Sequence, residues 1–135
     1  MGKTIKLRND TYLVNDLYKT TEVRVGTWID GKPIYRKVVQ FTPSTNELET
    51  RTSHHISNID QILPSSSCLL HRINNQYVFF GMTYPYNATQ ILYWSMGWEA
   101  TKSEIFTWIG ENMRNQMDTS NYGAVAILEY TKTTD

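Results

Sequence analysis

Residues 22–41, with the sequence EVRVGTWIDGKPIYRKVVQF, decide the fold class of this chain. Two runs rich in β-branched and aromatic residues flank Asp30-Gly31, the dipeptide that most readily supplies the two positive-φ residues of a type I′ turn. The segment therefore predicts a β-hairpin whose loop consists of those two residues. In that register Tyr35 lies opposite Gly26, where its ring would cover backbone that the glycine leaves bare.

Length and composition predict one globular domain with no strong electrostatic partner. The chain has 135 residues, and its 13 basic and 13 acidic side chains cancel, so nothing attracts nucleic acid or an anionic membrane. The single cysteine, Cys68, lies in an apolar run and is expected to be buried and unreactive. No apolar segment has the length of a signal peptide core or a membrane span, so we expect synthesis in the cytoplasm without a signal peptide and no membrane insertion.

The pattern along the chain predicts short strands. Aromatic residues make up 13% and charged residues only 19% of the sequence, which is typical of a β-rich domain with polar loops. Alternation predicts further strands at 47–53, 68–73, 76–80, 90–98, 104–109 and 122–131, whereas isoleucines spaced by three predict one helical turn at 57–61. We therefore expect an all-β fold, an antiparallel β-sandwich or jelly roll, with an extended N-terminal arm at 1–20 and the sandwich domain at 21–135.

No motif for catalysis, cofactor binding or metal binding stands out. His54 and His55 are adjacent, so on a strand they would point to opposite faces and could not share a metal ion. The carboxylates are scattered without the spacing of a calcium loop or an acid pair, and no phosphate-binding or nucleophile motif is present. The sequence predicts no enzyme activity, no cofactor and no metal site.

The aromatic residues of the second half have three interpretations. They can be the two sides of half-buried strands, platforms that stack on sugar rings, or parts of an oligomer interface. We assign a receptor or glycan contact to Tyr84 and Tyr86, in a turn, and an oligomer interface to Trp94 and Trp98. The reason for the second assignment is that both faces of residues 90–98 are large and apolar, which exceeds what a small sandwich buries on one side.

Three blocks of the sequence resemble small phage and prophage virion proteins. These are WIDGKPIYRK at 28–37, HISNID at 55–60 and the terminal LEYTKTTD at 128–135, with a similar lead-in at 7–13. The region 64–101 matches least. The resemblance implies a β-rich structural protein of a tail fibre, baseplate or head fibre, often trimeric and sometimes presenting a receptor-binding surface, and it implies no catalytic residues.

From these observations we expect a structural virion component that forms a homotrimer, contacts other virion proteins and can bind a host cell-surface glycan. A stand-alone carbohydrate-binding module is the alternative, and a polysaccharide hydrolase is the third possibility. The first predicts a stable trimer, the second a monomer with an exposed aromatic platform, and the third two carboxylates facing each other across a groove.

Overall fold

The protein is a β-sandwich of two antiparallel sheets. A computed structural model describes residues 17–72, 76–81, 96–115 and 123–134. The larger sheet has the order β1-β2-β9-β5-β6, with β4 also paired to β9, and the smaller has the order β3-β8-β7. The described residues form the strands β1 Val23–Thr27, β2 Pro33–Phe41, β3 Glu49–Ser53, β4 Ile59–Ile62, β5 Ser67–Arg72, β6 Gln76–Phe79, β7 Met96–Ala100, β8 Glu104–Ile109 and β9 Gly123–Lys132, and the short helix α1 Glu111–Asn115. The predicted all-β sandwich class is confirmed.

The first hairpin exists, but its predicted turn and register are wrong. Trp28 N donates to Lys32 O and Gly31 N donates to Trp28 O, so the loop has three residues. Of the described residues in this loop only Gly31 has a positive φ, at 90°, which is the pattern of a type I turn closed by a glycine bulge. The longer loop shifts the pairing by one residue. A bulge between Arg24 and Gly26 adds a second shift, so Tyr35 lies opposite Arg24 and not opposite Gly26.

Strand β9 organises the larger sheet because it pairs along both edges. One edge pairs with β2 over residues 124–130, and the other pairs first with β5 and then with β4. The helical turn predicted at 57–61 is wrong, because β4 occupies most of that segment. Asn58, with a φ of 61°, precedes it, and Ile59 is buried in the core.

The core lies between the sheets and draws on alternate residues of each strand. Strand β9 shows the alternation directly, since Ala124, Ala126, Leu128 and Tyr130 are all buried. The smaller sheet contributes Ile105 and Ile109 from β8, both almost completely buried. Cys68 is buried as predicted, and burial raises the pKa of its thiol to about 12.

The smaller sheet also covers part of its own outer face. Trp108 of β8 pairs with Gly97 of β7, and its indole ring lies where a side chain at Gly97 would be. Next to it, the Arg51 guanidinium lies 4.1 Å from the centre of the Phe106 ring. Both large rings on the outer face of β8 therefore have neighbours within the same chain.

Candidate functional site

An ion pair anchors the chain where it approaches the larger sheet. Arg36 and Glu129 face outward on β2 and β9, and the guanidinium lies 2.7 Å from the carboxylate. Arg36 also donates to the Leu17 carbonyl at 3.1 Å and lies 4.2 Å above the Tyr18 ring. Ser65 donates to the same carboxylate. Residues 17 and 18 are thereby held on the outer face of the larger sheet.

A second polar cluster fixes the start of β1. Glu22 accepts hydrogen bonds from the Tyr130 hydroxyl at 2.6 Å and from Lys132 Nζ at 2.8 Å. Burial, followed by the neighbouring Glu22 carboxylate, raises the pKa of Tyr130, so this phenol stays protonated and donates. The Tyr130 ring stacks on Tyr35 with centroids 6.1 Å apart. This carboxylate therefore has a structural role.

The outer face of the larger sheet carries a patch of apolar side chains. Its members come from β5, β6 and β9 and are exposed or half-buried, and we call them the outer apolar face: Leu69, Tyr77, Phe79, Val125 and Ile127. Leu69 pairs with both Phe79 and Val125, so three of these residues form one row across three strands. Phe79 is 71% exposed and Tyr77 is 63% exposed. Such patches on soluble proteins commonly mark interaction sites.

A shallow groove of about 450 Å³ crosses this face. Tyr77, Leu69 and Val125 line it together with Gln40, and it passes Gly123, which contributes no side chain. The lining combines aromatic, aliphatic and amide groups. The groove can therefore receive an apolar side chain of a partner or the ring of a sugar.

A polar groove of about 350 Å³ lies on the side of the sandwich where β2 and β3 approach each other. Its lining comes from residues 37–40, residues 52–55 and Thr20, and we call it the Lys37 groove. Lys37 Nζ donates to the His54 carbonyl at 2.8 Å. His55 follows with a φ of 55°, a conformation that is uncommon for residues other than glycine.

His54 is a structural histidine at the base of this groove. Its Nδ1 accepts a hydrogen bond from Ile56 N at 3.1 Å, and its Nε2 lies 2.9 Å from the Thr101 carbonyl. These partners require a neutral ring with the proton on Nε2. Burial lowers the pKa of His54, and the positive charge of Lys37 adds to that effect. The ring therefore joins the loop after β3 to the turn between β7 and β8.

The structure separates the four residues that the sequence singled out. Trp98 belongs to the core and is 8% exposed, although its edge borders a cleft of about 380 Å³ with Pro64 and Glu99. Its predicted interface role stays a prediction, but a single chain already buries most of the side chain. Tyr84, Tyr86 and Trp94 lie outside the described residues.

The described residues offer no obvious machinery for catalysis. Among them, no group of three or more histidine, cysteine, aspartate or glutamate side chains could hold a metal ion. Three carboxylates, those of Glu22, Asp60 and Glu129, are each paired with a lysine or an arginine. The sequence missed the outer apolar face because alternation marks both faces of β5 and β9 as apolar, and only the sheet order shows which face stays uncovered.

Comparisons with known proteins add no relative. No family model, curated protein or solved structure matches this chain. In the described parts of the chain, no helix is long and apolar enough to cross a membrane.

Proposed function

We propose that this chain is a non-enzymatic structural component of a bacteriophage virion, of the tail-fibre, baseplate or head-fibre type. It assembles as a homotrimer, contacts other virion proteins and presents a surface to the host cell. The proposal rests on the sequence resemblance and, within the structure, on one observation: a sheet face with strongly exposed Phe79 and Tyr77.

The exposed rings favour an assembled protein for a physical reason. Burying apolar surface yields about 25 cal/mol per Å², and fully buried aromatic anchors contribute most of the affinity at protein interfaces. The smaller sheet has less to gain, because Trp108 and Phe106 are already covered on its outer face. We therefore assign the subunit contact to the outer apolar face.

Light scattering on the purified protein tests the assembly. We expect a mass near three times 15.7 kDa at micromolar concentration. Phe79→Asp should dissociate the trimer, whereas Ile29→Asp should leave it intact, because Ile29 is 91% exposed at the tip of the first hairpin and away from this face. A wild-type monomer, or an intact trimer in Phe79→Asp, would contradict the proposed interface.

Association with a particle is tested separately. An antibody against the purified protein should label phage particles induced from the bacterium that carries the gene, after density-gradient purification. Particles of full density that lack the protein would refute the virion role. If light scattering nevertheless gives a trimer, only the location, and not the assembly, was misassigned.

A stand-alone carbohydrate-binding module is the second candidate. The groove on the outer face favours it, because its lining includes both the exposed Tyr77 ring and the Gln40 amide, a combination that can hold a sugar. This function predicts a monomer that binds on a glycan array and loses binding in Tyr77→Ala. A trimer without glycan binding would reject it.

A further inference from the structure

We propose that the Lys37 groove is a binding site for an oxyanion, the phosphate or carboxylate group of a polysaccharide or a smaller ligand. This site is independent of the proposed virion role and of the subunit contact, because it lies between the two sheets and shares only Gln40 with the groove on the outer face. The chemistry that would recognise the ligand is a half-buried ammonium group surrounded by neutral hydrogen-bonding side chains.

The groove exists because β2 is longer than its neighbour. Strand β1 pairs with β2 from Pro33 to Arg36, while β2 continues to Phe41. Beyond Arg36, the Val38 N–H donates to the Lys19 carbonyl at 2.8 Å. The space left beside residues 37–40 has a volume of about 350 Å³, which lies at the small end of the range for ligand sites, about 300–1,000 Å³.

Lys37 is a charged side chain at a position that points toward the core. It pairs with Leu128 of β9, which is completely buried, and it alternates with the core residue Val39. The ammonium group has three donors, and one of them reaches the His54 carbonyl. Among the described residues, no carboxylate forms an ion pair with Lys37. A partly desolvated charge without a counterion is costly, so a bound anion would relieve that cost.

The rest of the lining suits an anion. Thr20, Thr52 and Ser53 supply hydroxyl groups, Gln40 supplies an amide and His55 an imidazole. No carboxylate is found among the described residues that line the groove. The nearest carboxylate charge that acts on the lining is that of Glu104, which opposes the lowering of the His54 pKa. An oxyanion contacting Lys37 would gain a charge-assisted hydrogen bond, which is stronger than a neutral one.

Lys37 could instead serve only to protect a sheet edge, since inward-pointing charges discourage pairing with other strands. Ligand titration separates the two roles. We would titrate ¹⁵N-labelled protein with sodium phosphate, glycerol 1-phosphate and galacturonate, using galactose as the uncharged control, at constant ionic strength. We expect saturable amide shifts at residues 37–40 and 52–55 with at least one of the three anions and none with galactose.

The relative affinities of the three anions identify the source of the oxyanion. Tighter binding of glycerol 1-phosphate indicates a phosphate-containing polymer, and tighter binding of galacturonate indicates an acidic sugar. Binding of inorganic phosphate alone indicates a site for the free ion.

Two variants test the assignment. Lys37→Met should weaken binding by about tenfold or more, because it removes a charged hydrogen-bond donor. Thr20→Glu places a negative charge in the lining of the Lys37 groove alone and should also abolish binding. Its side chain is exposed and makes no hydrogen bond within the described residues, so this variant decides the matter if Lys37→Met does not fold. Arg24→Gln removes one positive charge outside the groove and should bind like wild type.

The proposal is wrong if none of the three anions produces saturable shifts, or if the shifts fall outside the groove. It is equally wrong if folded Lys37→Met and Thr20→Glu bind as tightly as Arg24→Gln. The trimer mass should be the same in all three variants, so failure of this site and failure of the subunit contact give different results.

Discussion

Replacing Gly97 with alanine tests how the outer face of the smaller sheet is built. A Cβ at Gly97 would come within 2.5 Å of the Trp108 indole Nε1 and closer still to two ring carbons. Because the indole lies directly on the Gly97 backbone, the ring must leave its place. Trp108 Nε1 is buried without a hydrogen-bond partner among the described residues, so packing is what holds the ring there.

The expected loss follows from overpacking, which costs roughly 1–3 kcal/mol. An unfolding entropy of about 2.1 cal/mol/K per residue gives about 0.28 kcal/mol/K for 135 residues. Gly97→Ala should therefore lower the melting temperature by about 4–11 °C. Calorimetry or thermal circular dichroism measures this shift directly.

Two further variants complete the experiment. Gly26→Ala is the matched control, because its Cβ would have Ile34 Cδ1 at 4.0 Å as its nearest neighbour, and it should change the melting temperature little. In a Trp108→Ala background the Gly97→Ala change should cost close to nothing, since the clash is gone. An unchanged melting temperature in Gly97→Ala, or equal costs in both backgrounds, would refute the close contact between ring and glycine.

Two further predictions concern the first hairpin and the buried histidine. Gly31→Val should destabilise the protein by more than about 1 kcal/mol, because a β-branched residue is strained at a φ of 90°; an unchanged urea midpoint would contradict this. The pKa of His54 is lowered in the folded protein. As the pH falls below about 6.5, His54 therefore binds a proton in the unfolded chain before it does so in the folded protein. Wild type should therefore lose stability relative to His54→Gln between pH 7.5 and pH 5, and equal slopes for the two proteins would contradict the buried neutral ring.

Local sequence predicted the first hairpin but could not predict its register. Asp30-Gly31 fits a two-residue loop, and it fits equally well a three-residue loop in which only Gly31 has a positive φ. Alternation does not distinguish the two, because neither β1 nor the first part of β2 has one face that is clearly apolar and buried. The arrangement of an aromatic ring over a glycine, expected at Tyr35 and Gly26, occurs instead at Trp108 and Gly97.

Long-range pairing explains the other error. Ile56, Ile59 and Ile62 have helical spacing, yet Ile59 and Ile62 lie in a strand because the C-terminal part of β9 pairs with that segment. More than 60 residues separate the two strands in the chain, so no local pattern reports the pairing. Local sequence is limited in the same way at Trp98. The apolar residues around it indicated that both faces of its strand are covered, but they did not indicate which face lies against the core.

The two sheets differ in how much of their outer surface the chain itself covers, and this difference supports the proposed assembly. On the smaller sheet, Trp108 lies on Gly97 and Arg51 lies on Phe106. On the larger sheet, Phe79 is 71% exposed. Residues 17 and 18 are fixed by Arg36 on that same outer face, where apolar surface remains. A neighbouring subunit on this face would bury the aromatic row without disturbing the core, and it would leave the Lys37 groove, between the sheets, open to solvent.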